Sequence, residues 1–319
     1  MILILSECRD YATDQVFGFL NRRTDVECVR LNIESIITDD FFCNIHDDFF
    51  LIEGRKIWYA EVRTVWYRRF GTSSVANFLE YVENNISTKL SVQLNNELKS
   101  ITQYILHRLG HCAWTNHYST VTVNKFVVLD KAKKLGIKIP ETYIANKARL
   151  IDNSNDLIVK SAYEPNFFTY KNGFYATYTS EYNQGIASSF FPSLLQKKIE
   201  KKIEIRSFFI LGEFYSMAIF SQDHEDTEVD FRRYVEDEPN RFLPYKLPKI
   251  YEYKLKKLMD KLNINCGSID LIQNREDELV FLEINPVGQF GMIESRCNYG
   301  LYKILADKLI YMHEKEISF

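Results

Sequence analysis

The chain has 319 residues, enough for more than one hydrophobic core and for two or three packed subdomains, so a marginal miniprotein is excluded. Apolar residues make up 46% and charged residues 26%, globular proportions, and a net charge of -3 lacks the basic excess that duplex nucleic acid selects. The six cysteines (Cys8, Cys28, Cys43, Cys112, Cys266, Cys297) are scattered with no C-x-x-C pair, which points to reduced thiols rather than zinc, and no apolar run is long enough to span a bilayer, so the expected setting is the cytoplasm.

Met1 to Leu5 reads as a buried strand, followed by a polar turn and a helix over Asp14 to Asn21. Val26 to Leu31 is the next strand, a hairpin spans Phe49 to Trp58, and Val62 to Arg68 is a further strand, an alternation expected of α/β layers. From Ser87 to Leu109, the positions Leu90, Leu94, Leu98, Ile101, Ile105 and Leu109 recur at helical spacing and predict a long amphipathic helix with its stripe in the core. Asn124 to Leu135 is another helix, stopped by Gly136, with Ile137 to Pro140 as an extended exit. Leu157 to Lys160 is a short apolar strand ending in lysine. Between Tyr163 and Tyr182 the aromatics Phe167, Phe168, Tyr170, Phe174, Tyr175, Tyr178 and Tyr182 fit either a small twisted sheet or a peptide-binding surface.

A charged connector from Gln196 then leads into a strand that turns at Gly212. Glu204 and Arg206 share one face of it: a carboxylate there can accept from ribose hydroxyls, and a guanidinium two residues on can fork onto phosphate oxygens. The same charges also fit a merely solvated strand face, and Lys197, Lys198, Lys201 and Lys202 are expected in solvent. Gly267 to Ile272 and Glu278 to Asn285 flank the polar turn Asn274 to Asp277, a hairpin signature. Alternation puts Glu283 and Asn285 on one face with Phe281, and Leu282 and Ile284 on the opposite, buried face. With Gln273 facing Glu278, Asp270 faces Phe281 and lies diagonally beside Glu283. Asp270, Glu283 and Asn285 then present three hard oxygens, the set that magnesium takes alongside water and phosphates. A solvated polar face is the bland alternative, less natural where an E-I-N step runs straight into Pro286-Val287-Gly288.

In order, Lys125, Lys160, the Gln196 to Ile199 connector, Glu204, Arg206, Asp270, Glu283 and Asn285 resemble the ATP-grasp superfamily over most of the chain. More narrowly, Val65-Trp66-Tyr67-Arg68-Arg69, the N-K-x-x-x-L-x-x-A-K-x-L-G-I-x-I-P run from Asn124 to Pro140, and Asp230-Phe231-Arg232-Arg233 look like the graspetide synthetases, nearest to the grasp-with-spasm peptide maturases and their relatives the microviridin ligases. The resemblance implies a mixed α/β and α+β ATP-grasp fold: an N-terminal α/β subdomain over 1–115, a central subdomain with peptide-binding elements over 116–192, and a C-terminal subdomain with the metal site over 193–319. It implies ATP and Mg2+ as cofactors. Carried over by position, Lys125 and Lys160 contact phosphates, Gln196 with the backbone near Lys198 and Ile199 holds adenine, and Glu204 holds the ribose. Arg206, Asp230 and Arg232 (or its neighbour Arg233) sit by the transferred phosphoryl group or the acceptor carboxylate, and Asp270, Glu283 and Asn285 hold the metal. One departure is that Ser161 to Asn166 lacks the glycines with which many ATP-grasp proteins cover phosphates.

The implied activity is phosphorylation of an Asp or Glu side chain in a precursor peptide, followed by attack from a Ser, Thr or Lys of the same peptide to close an ester or amide. The partner is a precursor with a leader segment; nucleic acid and membrane are not expected, and the oligomeric state stays open, a homo-oligomer included. An amino-acid ligase of the glutamate-adding type and a non-enzymatic nucleotide- or peptide-binding module are the rival readings.

Overall fold

Ile2–Ser6 is an unbroken buried run, the pattern of a strand covered on both faces, and it forms β1 in the middle of a parallel sheet. The computed structural model describes residues 1–71, 88–147, 150–151, 156–163, 167–170, 173–176, 179–182, 189–220 and 240–315. They fall into two compact units: Met1–Val121 with Asn263–Cys266 and Gly300–Phe319, and Thr122–Leu262 with Gly267–Tyr299.

In the first unit β1 is followed by α1 (Tyr11–Leu20), β2 (Cys28–Asn32), the short α2 (Ser35–Thr38), β3 (Phe42–Asn44), β4 (Phe49–Ile52), β5 (Arg55–Trp58), β6 (Thr64–Tyr67), α3 (Thr88–Arg108) and β7 (Ala113–Trp114). The parallel sheet runs β2-β1-β6-β7, and β3-β4-β5 form an antiparallel sheet beside it. Helix α1 starts earlier than its apolar periodicity suggests because Asp10 caps it, Oδ1 accepting the Thr13 N–H at 2.9 Å. The same buried carboxylate pairs with Arg68 at 3.2 Å and Arg69 at 3.3 Å. Of the α3 stripe, Ile105 and Leu109 are buried in the core with Leu3, Leu5, Val65 and Trp114, and Leu98 packs against it partly buried. Leu90 and Ile101 are exposed. The C-terminal helix, Leu301–Lys315, packs Leu301, Leu305 and Leu309 into this unit, on the side of α1, β1 and β6.

The second unit contains α4 (Lys125–Lys134), β8 (Thr142–Ala145), β9 (Leu157–Lys160), β10 (Phe167–Tyr170), β11 (Gly173–Ala176), β12 (Ser180–Glu181), β13 (Ser193–Lys197), β14 (Lys201–Ile210), β15 (Glu213–Phe220), β16 (Arg241–Tyr245), α5 (Lys249–Leu262), β17 (Cys266–Asn274), β18 (Leu279–Asn285) and α6 (Gly291–Cys297). Asn124 caps α4 through Oδ1, which accepts from Phe126 at 3.0 Å and Val127 at 3.2 Å, and Gly136 at φ +67 ends it. Two sheets position the site: β12-β9-β13-β8, and β16-β15-β14-β17-β18, against whose last strand α4 packs. The aromatic segment contains the two-stranded antiparallel hairpin β10-β11. Its side chains lie outside the described residues, as does Tyr178. Among the described residues, no helix is long and apolar enough to cross a membrane.

Candidate functional site

The site is built on the β17–β18 hairpin, and its register differs from simple alternation in two ways. Gln273 faces Leu279 rather than Glu278, and a β-bulge at Leu282 shifts the pairing again, so Asp270 faces Glu283 directly and Ser268 faces Asn285. Leu271 pairs with Phe281 and Ile269 with Ile284, and all four are buried. Phe281 therefore points to the core with Ile284, three residues apart on one face, which only an extra residue in the strand allows. The expectation that Phe281 shares the face of Glu283 is corrected by that bulge. Its effect is to bring the two carboxylates into direct opposition, with the Asn285 amide on the same face.

Two like charges so close need cations, and two are supplied. Lys125, in the first turn of α4, places Nζ 3.1 Å from Glu283 Oε2 and donates to the Ser161 carbonyl at 3.1 Å. Arg206, on the neighbouring strand β14, has Nε 3.7 Å from Asp270 Oδ1, an ion pair too long to be a hydrogen bond. That buried Nε–H has no hydrogen-bond partner among the described residues, so a donor is left aimed into the cluster. All four charged side chains are partly screened from solvent, Arg206 and Asp270 at 12% and 17% exposure, Lys125 and Glu283 at 20% and 24%.

On the other sheet, Lys160 pairs with Leu194 and Gln196 with Ile158, so Lys160 and Gln196 share the face turned away from the core of Ala145, Leu157 and Leu195. Gln196 is buried and donates from Nε2 to Thr142 Oγ1 at 3.0 Å. Lys198 is tied to Glu181 at 2.7 Å, and its backbone N–H donates to the Asp156 carbonyl at 2.7 Å, so that amide is already used; Ile199 is half-buried. Glu204 and Arg206 share a face of β14, opposite Ile219 and Met217. The lysines of this segment are not uniformly solvated: Lys202 is exposed on Asp277, Lys197 and Lys198 are half-buried, and Lys201 is buried against the Glu204 carboxylate. Asp230, Arg232 and Arg233 lie outside the described residues.

Two glycines that residue-type reasoning passed over hold the hairpin closed. A Cβ on Gly267 would lie 2.8 Å from the Asn285 carbonyl oxygen, and one on Gly288 would lie 2.7 Å from Ser268 Oγ and 2.9 Å from the Gly267 carbonyl carbon. The loop Asn285–Gly288 therefore lies directly on the start of β17, and Asn285 Oδ1 accepts from Val287 N–H at 3.1 Å. The tip is anchored as well: the Lys138 ammonium, then the Asn274 amide, bonded to Glu278 hold its carboxyl below the usual range. Among the described residues no three His, Cys, Asp or Glu side chains form a metal-binding group. Two carboxylates and an amide fit instead an ion such as magnesium, which fills its remaining positions with water and phosphate oxygens.

No family model matches the chain, and no curated protein matches it in sequence. Solved structures do match. A RiPP-associated ATP-grasp ligase from Chryseobacterium gregarium, in complex with ADP and a leader and core peptide, is 24% identical at a TM-score of 0.83 over 97% of this chain and 96% of its own. The macrocyclase MdnC of Microcystis aeruginosa MRC, bound with precursor peptide MdnA, is 21% identical at 0.79 over 97% and 99%. The ATP-grasp ligase PsnB, complexed with minimal precursor, Mg and ADP, is 14% identical at 0.74 over 98% and 97%. Over almost its whole length the chain has the ATP-grasp fold of these ligases.

Proposed function

We propose that this ATP-grasp chain is a peptide ligase that uses ATP to activate a side-chain carboxylate of a precursor peptide and closes a ring on it. In this reading the γ-phosphoryl group of ATP passes to an oxygen of an Asp or Glu carboxylate, leaving ADP and an acyl phosphate. A Ser or Thr hydroxyl or a Lys amine of the same peptide then attacks the acyl carbon, releases phosphate and forms an ester or amide.

What carries the proposal is the convergence of Asp270, Glu283 and Asn285 on one sheet face beside Lys125 and Arg206, in a fold shared with ligases solved with ADP and peptide. Bringing a triphosphate and a carboxylate together concentrates negative charge, and preorganised cations stabilise it most where water is partly excluded. Asp270, Glu283 and Asn285 would hold magnesium, which supplies Lewis-acid neutralisation of phosphate oxygens when bound. Lys125 and Lys160 bind phosphates, Gln196 and the Lys198–Ile199 backbone hold adenine, and Glu204 holds the ribose. The Arg206 guanidinium, whose Nε–H has no hydrogen-bond partner among the described residues, orients an acceptor or phosphoryl oxygen. Asp230 and Arg232 handle the acceptor carboxylate. Having nucleophile and electrophile on one peptide raises their effective concentration and favours ring closure over hydrolysis. A leader segment is the partner bound away from the chemistry, and the cytoplasm, where thiols stay reduced, is its setting. Incubating a candidate precursor with the protein, ATP and magnesium tests the proposal by mass: loss of one water per ring supports it, gain of a residue means an amino-acid ligase, and an unchanged peptide means a binder.

A further inference from the structure

Lys201 stands out among the charged side chains that the proposed chemistry leaves unused. Its side chain is 5% exposed, and it donates to Oε1 of Glu204, itself 12% exposed. In every other lysine–carboxylate pair of the described residues the lysine is at least 20% exposed, and several are solvated surface pairs four residues apart on a helix. Taking an ammonium out of water is costly, and a buried pair is weak evidence of added stability. Residues three apart on a regular strand point to opposite faces, so Lys201 reaches across the start of β14 to meet Glu204. A surface-stabilising role explains neither the burial nor the reach.

We infer that Lys201 is a positioning residue for the nucleotide's sugar, holding Glu204 as an oriented, charged acceptor of the ribose 2′ and 3′ hydroxyls. This rests on the proposed nucleotide site. A carboxylate offers about four acceptor positions, so an ammonium on Oε1 does not by itself exhaust them. Held less firmly, the same carboxylate would have to be ordered further when the sugar arrives, and part of the binding free energy would be lost to that ordering. Held by Lys201, and itself only 12% exposed, it is set before the sugar binds. A site built around such an acceptor also penalises a sugar that lacks the hydroxyl, because the carboxylate is then left underpaired.

Calorimetry of ADP and 2′-deoxy-ADP binding to the full-length protein with magnesium tests this. Wild type is expected to prefer ADP by about tenfold, the effect of one hydrogen bond to a charged group. Lys201→Met should bring that ratio close to one and raise KM for ATP while leaving kcat largely intact, and Lys201→Arg should restore most of the preference. The inference is overturned by a wild type with no preference, by Lys201→Met keeping the wild-type ratio, or by Lys201→Met losing both nucleotides by the same factor. If Lys201→Met does not fold, the neutral pair Lys201→Met with Glu204→Gln replaces it, and a wild-type ratio there overturns the inference equally. A wild-type protein that binds ADP not at all defeats the nucleotide reading itself, and this inference with it.

Discussion

Gly288→Ala is a one-carbon change remote in chemistry from any reacting group, and the structure predicts that it will damage the site. The new Cβ would lie 2.7 Å from Ser268 Oγ and 2.9 Å from the Gly267 carbonyl carbon, and closer still to the Ser268 backbone nitrogen. The hydroxyl can rotate away. The backbone atoms of β17 cannot, so the loop must lift by about 1 Å to recover an ordinary carbon contact. Asn285 begins that loop and faces Ser268 across the hairpin, so the displacement directly moves the oxygen proposed to hold magnesium. Overpacking of this size costs about 1–3 kcal/mol of stability. A misplacement of about 1 Å can cost about a hundredfold in rate. Thermal melting of the variant should show a modest drop, while ring formation from a precursor, followed by mass spectrometry, should fall by about two orders of magnitude. Near-wild-type ring formation at saturating magnesium would refute the argument that this loop fixes Asn285.

Glu283→Gln should fold but lose turnover and lose the rise in melting temperature that magnesium and ADP together confer; an undiminished rise removes Glu283 from the metal site. Lys160→Met keeps the stem and removes the cation, so ATP affinity should weaken about tenfold in calorimetry, and unchanged affinity would mean that the lysine only ends β9. Arg232→Lys should bind ATP normally yet close rings far more slowly, since it keeps charge but loses the planar fork; equal loss of both functions would move the residue to the nucleotide. Burial pushes the Cys266 thiol up from 9.0 to about 12, so between those pH values the unfolded chain sheds this proton while the native chain keeps it. Stability should therefore fall as pH rises above about 9, by ~1.4 kcal/mol per pH unit for this thiol. Urea unfolding at two alkaline pH values should show a shallower loss in Cys266→Ala, and an identical slope would contradict the assignment.

Strong local patterns were legible in the sequence. The apolar run of β1, the Asn124 cap and Gly136 stop of α4, and the two arms of the β17–β18 hairpin each follow from a short-range rule, and the structure has them. What alternation could not supply is the Leu282 bulge, because an extra residue leaves no mark in the apolar–polar pattern until the partner strand is known. With the bulge, Asp270 and Glu283 oppose each other directly instead of diagonally. The burial of Lys201 was equally invisible, since a lysine among lysines reads as solvated until its carboxylate partner is located. In α3 the helical spacing was right, but a periodic stripe does not say which of its positions are covered, and Leu90 and Ile101 are exposed. The spacing of Leu255, Leu258 and Met259 in α5 and of Leu301, Leu305 and Leu309 in the C-terminal helix was there to be read.

In the proposed chemistry a peptide carboxylate is phosphorylated before the ring closes. A precursor whose Asp and Glu side-chain carboxylates carry a heavy-oxygen label decides it, because in an acyl phosphate one carboxylate oxygen becomes the bridging oxygen and leaves with phosphate. After turnover with ATP and magnesium, the released phosphate should carry one labelled oxygen for every ring formed. Rings formed with phosphate free of label would contradict the account.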